Sequence, residues 1–181
     1  MTASPSREET LTTRGSRIYL VIWSLLALVG LLIVIATVAA PASLSRGHAG
    51  FSEGLYRAFS YLCHQIPERS FHLAGHPFAV CSRCTGLYAG FAFATLALPL
   101  VRSLKRTDTP RVIWLFLSAV PLAIDFGLTY FEIWQNNHFT RVTTGALFGA
   151  VAAIYVVPGL IELSVKLQRR LTKSSRSQSS P

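Results

Sequence analysis

Three cysteines carry the clearest chemistry in the chain. All lie between Cys63 and Cys84, where the sequence reads CHQIPERSFHLAGHPFAVCSRC. Cys81 and Cys84 form a C-x-x-C, a turn that points both sulfurs the same way and lets two thiolates reach one metal. Cys63 supplies a third sulfur. Zinc prefers four nitrogen or sulfur ligands in a tetrahedron, so a histidine suits the fourth position. His64, His72 and His76 are all candidates. His64 adjoins Cys63 and needs a bent backbone to converge with it. His72 and His76 are four apart and share a face if that segment is helical. A framework of paired disulfides is excluded, because three sulfurs leave one over. The plainer readings are one disulfide beside a buried thiol, or inert cysteines. A cation such as Arg83 inside the motif is expected to favour a thiolate beside it, which suits metal binding and redox chemistry alike.

A second group of chemical residues lies further along. Asp125 sits within an apolar run. A charged aspartate inside a bilayer costs about 2.5–3.5 kcal/mol on insertion scales, so it needs a partner or a proton. Arg83 and Arg141 are the best partners by position. The plain reading is an ion pair that pins three helices. The functional one is a proton carrier, a metal ligand or a substrate anchor beside the cysteines. Asn136, Asn137 and His138 occupy a short loop and are expected to face water.

The elements that must hold these groups are membrane spans. Of 181 residues, 51% are apolar and 14% charged, against about 25% charged in soluble domains. Mean hydropathy is +0.43, which argues against a purely soluble globule and against a disordered chain. Uncharged or nearly uncharged runs cover Ile18 to Ala40, Thr85 to Val101, Val112 to Tyr130 and Val142 to Leu163. Each is near or above the length that crosses a bilayer. Pro41 is expected to end the first. That run is too long for the apolar region of a signal peptide, so it reads as an uncleaved helix. The fold expected is all-α, a polytopic membrane protein with four transmembrane helices. One membrane domain is expected over 18–165, with spans near 18–40, 85–101, 112–130 and 142–163 and an outer loop at 41–84. Segments 1–17 and 166–181 read as disordered cytoplasmic tails.

The net charge of +9 suggests nucleic acid until its placement is considered. Arg7, Arg14 and Arg17 precede the first span. Arg102, Lys105, Arg106 and Arg111 join the second to the third. Lys166, Arg169, Arg170, Lys173 and Arg176 follow the fourth. Basic residues that flank spans are topology signals, and they put both termini in the cytoplasm of the cell membrane. They also suit anionic lipid. Nucleic acid is excluded as a partner; the bilayer is the expected one. The cysteine loop then faces outward, and Asp125 falls in the outer half of its helix.

Within the loop, Phe51, Leu55, Phe59 and Leu62 recur at three- and four-residue steps, the pattern of an amphipathic helix at the membrane surface. The second and fourth spans open alike. Arg83-Cys84-Thr85-Gly86-x-x-x-Gly90 stands beside Arg141-Val142-Thr143-Thr144-Gly145-x-x-x-Gly149. Thr85 and Thr143 or Thr144 are candidate helix caps. The glycine pairs are small-xxx-small faces that allow close approach, within the chain or in a homo-oligomer. Ile22-Trp23 and Ile113-Trp114 open the other two spans similarly. Together these suggest a weak two-fold repeat in which Arg83 and Arg141 are equivalent and flank one site.

The strings CHQIPERSF and CSRCTGLYAG, the later AIDFGLTY and the Arg-x-x-Thr-Gly at Arg141 resemble a family of small prokaryotic membrane proteins, the domain of unknown function 2085. The resemblance runs from about Leu55 to Gly149. It implies a multi-pass membrane protein in which Cys63, His64, Gln65, Arg69, Ser70, Cys81, Arg83, Cys84, Asp125 and Arg141 matter. It implies no reaction. It also selects His64 as fourth ligand beside Cys63, Cys81 and Cys84, and adds Arg69 to the polar cluster of Asp125, Arg83 and Arg141.

Three functions are consistent with these residues. The first is an outward-facing metal site, with zinc as cofactor, in a metal-dependent membrane enzyme acting on an anionic or lipid substrate. The second is thiol–disulfide exchange through Cys81-x-x-Cys84. The plan resembles quinone-linked disulfide-forming membrane oxidases, although the loop Phe131 to Arg141 lacks their second cysteine pair. The third is a non-enzymatic transporter or partner subunit.

Overall fold

The computed structural model describes residues 7–101, 103, 108–133 and 136–178. Arg102, Lys105 and Arg106 lie outside the described residues, as do the side chains of 7–17, 169 and 171–178. Without water in the bilayer, backbone groups must bond within their own segment, so the apolar runs become helices. In chain order these elements are α1 (Arg7–Ser45), α2 (Ala49–Ser60), a 3-10 turn at Pro67–Arg69, a hairpin of β1 (His72–Leu73) and β2 (His76–Pro77), α3 (Ser82–Val101), α4 (Ile113–Tyr130) and α5 (His138–Gln178). Ile18–Ser45, Ser82–Val101, Ile113–Tyr130 and His138–Gln168 are long and apolar enough to span a membrane. Large apolar side chains such as Leu25, Leu28, Phe93 and Phe116 point outward from them. That is a surface lipid suits and water does not.

Several boundaries differ from expectation, each for a local reason. Pro41 does not end α1. The helix continues to Ser45 and stops at Gly47, whose φ is +84°. His48 N–H donates to Ser43 O at 2.9 Å and Gly47 N–H to Leu44 O at 3.0 Å. This pair of bonds around a left-handed glycine closes a helix by satisfying its last carbonyls. Helical backbone also runs through 7–17 and on to Gln178, segments expected to be disordered. Near the end of the fourth span, Glu162 and Lys166 pair one turn apart at 2.6 Å, a spacing that supports helix. His72 and His76 do not share a helical face. They lie on the hairpin, turned by Ala74 and Gly75 at φ +51° and +82°.

Prolines inside the spans create the tertiary attachments. A proline cannot donate to the carbonyl four residues earlier. Pro41 thus frees Thr37 O, which accepts from Ala79 N–H at 3.2 Å. Pro99 frees Thr95 O, which accepts from Trp23 Nε1 at 2.7 Å. Both contacts fasten α1 to the segment around α3. They also set α1 antiparallel to α3.

The tightest packing is between α3 and α5. A Cβ on Gly86 would run into the backbone of Val142, and one on Gly90 into Ala146. Reciprocally, Gly145 faces the backbone of Arg83, and Gly149 that of Leu87. Partner positions rise together, so the two helices run parallel. The reciprocity defines the two-fold: Gly86 matches Gly145, Gly90 matches Gly149, and Arg83 matches Val142. Arg83 and Arg141 are therefore one residue out of register and are not equivalent. The glycine faces are consumed inside the chain, so they are not available to a homo-oligomer. Helix α4 runs antiparallel to α5, with Arg111 O accepting from Tyr155 Oη at 2.9 Å. The cysteine loop and the starts of α3 and α5 thus share one end of the bundle. The start of α1 and the end of α5 share the other.

Candidate functional site

The loop is brought to order by buried hydrogen bonds around Cys63. Helix α2 docks on α1 through Ser52, whose hydroxyl donates to Ala40 O at 2.8 Å. Its buried face is Ser52, Leu55, Tyr56 and Phe59, while Phe51 and Leu62 stay exposed. The expected stripe of Phe51, Leu55, Phe59 and Leu62 is thus split between core and surface. The turn after α2 places Cys63 N–H on Phe59 O at 2.9 Å. Gln65 adopts φ +53°, a region that non-glycine residues seldom occupy. Its amide Nε2 donates to Tyr56 O at 2.7 Å and Ala79 O at 2.8 Å. One side chain therefore ties the segment carrying Cys63 to the segment leading into Cys81. Ser82 Oγ adds a bond to Arg69 O at 2.9 Å, and Ala40, Phe59, Ala79 and Val80 fill the space between.

The sulfurs of Cys63, Cys81 and Cys84 all lie within 4.8 Å of one another. All three are free cysteines, and Cys63 is buried. Cys81 precedes the first residue of α3 and Cys84 lies in its first turn, where the helix N-terminus favours negative charge. Cys81 N–H donates to Cys63 Sγ at 3.3 Å. Hydrogen bonds from Cys81 and then Cys84 hold the Cys63 thiol far below the ordinary thiol range, against the opposing effect of burial. A metal at about 2.3 Å from each of three thiolates needs sulfurs roughly 3.8 Å apart, so this spacing fits one ion. Among the described residues, no histidine nitrogen belongs to the group. His64 is exposed and lines the adjoining cavity. His72, also exposed, and half-buried His76 sit on the hairpin, outside that cavity.

That cavity has a volume of about 420 Å³. The three cysteines line it, as do Arg69, Arg83 and Arg141. Asp125 is only 7% exposed and forms an ion pair with Arg83. The Arg83 guanidinium also lies 5.7 Å from the Phe126 ring centroid, within cation–π range. Arg141 is 8% exposed. The sequence-predicted residues Cys63, Cys81, Cys84, Arg69, Arg83 and Arg141 thus meet around one space, with Asp125 behind Arg83.

Loop residues expected to face water do structural work. Asn136 donates to the backbone carbonyl of Asp125. Asn137 Oδ1 accepts from Thr140 N–H at 2.8 Å and so caps α5. Thr85, Thr143 and Thr144 instead bond back to carbonyls three or four residues earlier. His138 packs against Phe71 with ring centroids 5.3 Å apart and the planes tilted by 34°, and it brings Nδ1 to 3.4 Å from Ser82 Oγ. Sequence reasoning also missed Phe126 and Glu132 on the cavity wall. The spacing of Phe126, next to Asp125, was the one available signal.

A family model described as predicted membrane protein, domain of unknown function 2085, matches residues 63–155. The chain belongs to that family. The uncharacterized protein MJ1492 of Methanocaldococcus jannaschii is 31% identical over 112 residues, which cover 62% of this chain and 72% of that protein. An uncharacterized protein of Methanothermobacter thermautotrophicus is 36% identical over 96 residues, covering 53% of this chain and 85% of that protein. No solved structure matches. The segment matched by the domain of unknown function 2085 starts at Cys63 itself. It takes in all three cysteines, Asp125 and Arg141, and leaves α1 and α2 outside.

Proposed function

We propose that this membrane protein holds one zinc ion on Cys63, Cys81 and Cys84 at the extracytoplasmic end of its bundle, and that the ion and the arginine–aspartate cluster form the active centre of a metal-dependent membrane enzyme. The observation that carries this is the convergence of three sulfurs within 4.8 Å, one of them accepting a backbone N–H. Soft thiolate donors favour zinc among common ions. Backbone donors to sulfur orient a ligand and stabilise its charge. Of the histidines, His64 is on the cavity wall beside the sulfurs; as a fourth ligand it would close the centre as a structural site, whereas a water in that place would make the ion a Lewis acid. Arg83, Arg141 and Arg69 hold substrate charge, and Asp125 fixes Arg83. The orientation rests on the basic residues that flank the spans in the sequence, most of them before the first, between the second and third and after the fourth. The same reasoning keeps 18–165 as one membrane domain.

A second reading, thiol–disulfide exchange, rests on the position of the C-x-x-C across the N-terminus of α3, which favours a reactive thiolate. Elemental analysis with thiol counting on the detergent-purified full chain separates the two. One zinc per chain with protected thiols is expected. No metal and a reducible Cys81–Cys84 bond would replace the metal reading with the redox one.

A further inference from the structure

We propose that the cavity binds a phosphate-type oxyanion, gripped by Arg141 from α5 and Arg83 from α3. This deepens the reading above by naming the substrate class of the same site, and it rests on that reading for the site alone, since the arginines need no metal to act. Arg141 is more than nine-tenths buried, lines the cavity, and has an Nε with no partner among the described residues. Arg83 spends one terminal nitrogen on Asp125, yet its own buried Nε is equally unpartnered. Buried donors left unpaired are costly; both Nε atoms are closed off from solvent, but the two guanidinium side chains that carry them line one cavity.

The placement of charge points the same way. Arg69, Arg83 and Arg141 line the cavity, and Arg69 and Arg83 are both close enough to Arg141 to repel it. Asp125 offsets one of the three, and Glu132 is the acid on the wall. The Cys63 thiolate brings the whole wall close to neutral, so it is the gathering of three guanidiniums at one space, and not a net charge, that favours an anion. Guanidinium forks match phosphate oxygens in pairs. Two forks arriving from different helices suit a tetrahedral group better than a planar carboxylate.

The cavity's place in the bundle decides how an anion reaches it. Leu62, Phe126 and Tyr130 form its apolar edge. Around it Tyr61, Tyr130, Phe131 and Phe139 are all more than 70% exposed. Exposed aromatic rings at the ends of spans mark the headgroup level of a bilayer. A volume of about 420 Å³ lies within the usual range for small-ligand sites. The phosphate is thus reachable either as a lipid headgroup or as a free ion.

The test uses the full chain in detergent, titrated calorimetrically with inorganic phosphate, dihexanoyl phosphatidic acid and dihexanoylglycerol. Phosphate-bearing probes should bind and the glycerol should not. Arg141→Gln should weaken binding at least tenfold, the scale of losing a charge-assisted hydrogen bond. Phosphatidic acid binding ten times tighter than phosphate would identify a lipid; equal binding would identify the free ion. No binding by either, or equal affinity in wild type and Arg141→Gln, overturns the proposal. Should Arg141→Gln fail to fold, Arg141→Lys, which keeps the charge and loses the fork, should weaken binding about threefold, and unchanged affinity would overturn it equally. Zinc measured on the same samples keeps the two readings apart. Zinc without anion binding removes only the anion site, and anion binding without zinc removes only the metal.

Discussion

The backbone N–H of Ala79 donates to the carbonyl of Thr37 at 3.2 Å, and Thr37 is the residue whose helical donor Pro41 removes. A proline in the first span therefore makes an acceptor for the loop that carries the cysteines. Ala79 is fully buried and lies two residues before Cys81, so this bond sets the depth at which α3 begins.

Pro41→Ala should test that link. It restores an N–H at 41, which competes for Thr37 O, and it should straighten α1 while releasing Ala79. Exchange of the Ala79 amide should speed up by tenfold or more, read by hydrogen–deuterium exchange in detergent. Unchanged protection would mean that packing alone holds the loop.

The parallel pairing of α3 and α5 predicts a sharp contrast between glycines. Gly86→Ala puts a methyl into the backbone of Val142 and should cost about 3 kcal/mol, at the upper end for overpacking. Gly127 in α4 has nothing within 4 Å of an added Cβ. Gly127→Ala should be neutral or stabilise by up to about 1 kcal/mol through helix propensity. Thermal unfolding of both variants in the same detergent measures the difference.

Arg83 and Asp125 should show strong coupling in a double-mutant cycle. Asp125→Asn or Arg83→Gln alone leaves a mostly buried charge without its partner and should destabilise by about 3–5 kcal/mol. The double variant should recover much of that loss. Additive effects in denaturant unfolding would show that the pair contributes little.

The thiolate at Cys63 predicts a pH dependence. Its pKa is lowered in the folded protein by bonds from Cys81 and Cys84. Its contribution to stability is therefore complete above the unfolded thiol pKa and declines as pH falls toward the folded value. Metal-free protein should melt at progressively lower temperature as pH drops below about 8.5, and Cys63→Ser should flatten that slope. With zinc bound, acid should release the metal, because protons compete for the ligands.

Most of the fold was legible because membrane physics writes itself into composition. Long uncharged runs such as Ile18–Ala40 must be helices, since no other open segment satisfies its backbone in lipid. The cysteine spacing, the lone intramembrane aspartate and its arginines were visible as chemistry, since each is costly or reactive out of place. Helix ends were less legible. Pro41 looked like a stop, but its freed carbonyl found Ala79, and the true stop was the left-handed Gly47.

Tertiary structure decided what meets what. Spacing left His64, His72 and His76 open as partners of the cysteines. Among the described residues the fold gathers the three sulfurs without a histidine and puts His64 on the cavity wall beside them. Similar helix openings suggested that Arg83 and Arg141 are equivalent. Glycine packing set the register one residue away, yet brought both guanidiniums to one cavity. Such outcomes depend on distances between segments far apart in the chain, and no local pattern encodes those distances. Residue types determine which groups need partners; the packing of α1, α3, α4 and α5 determines which partners they receive.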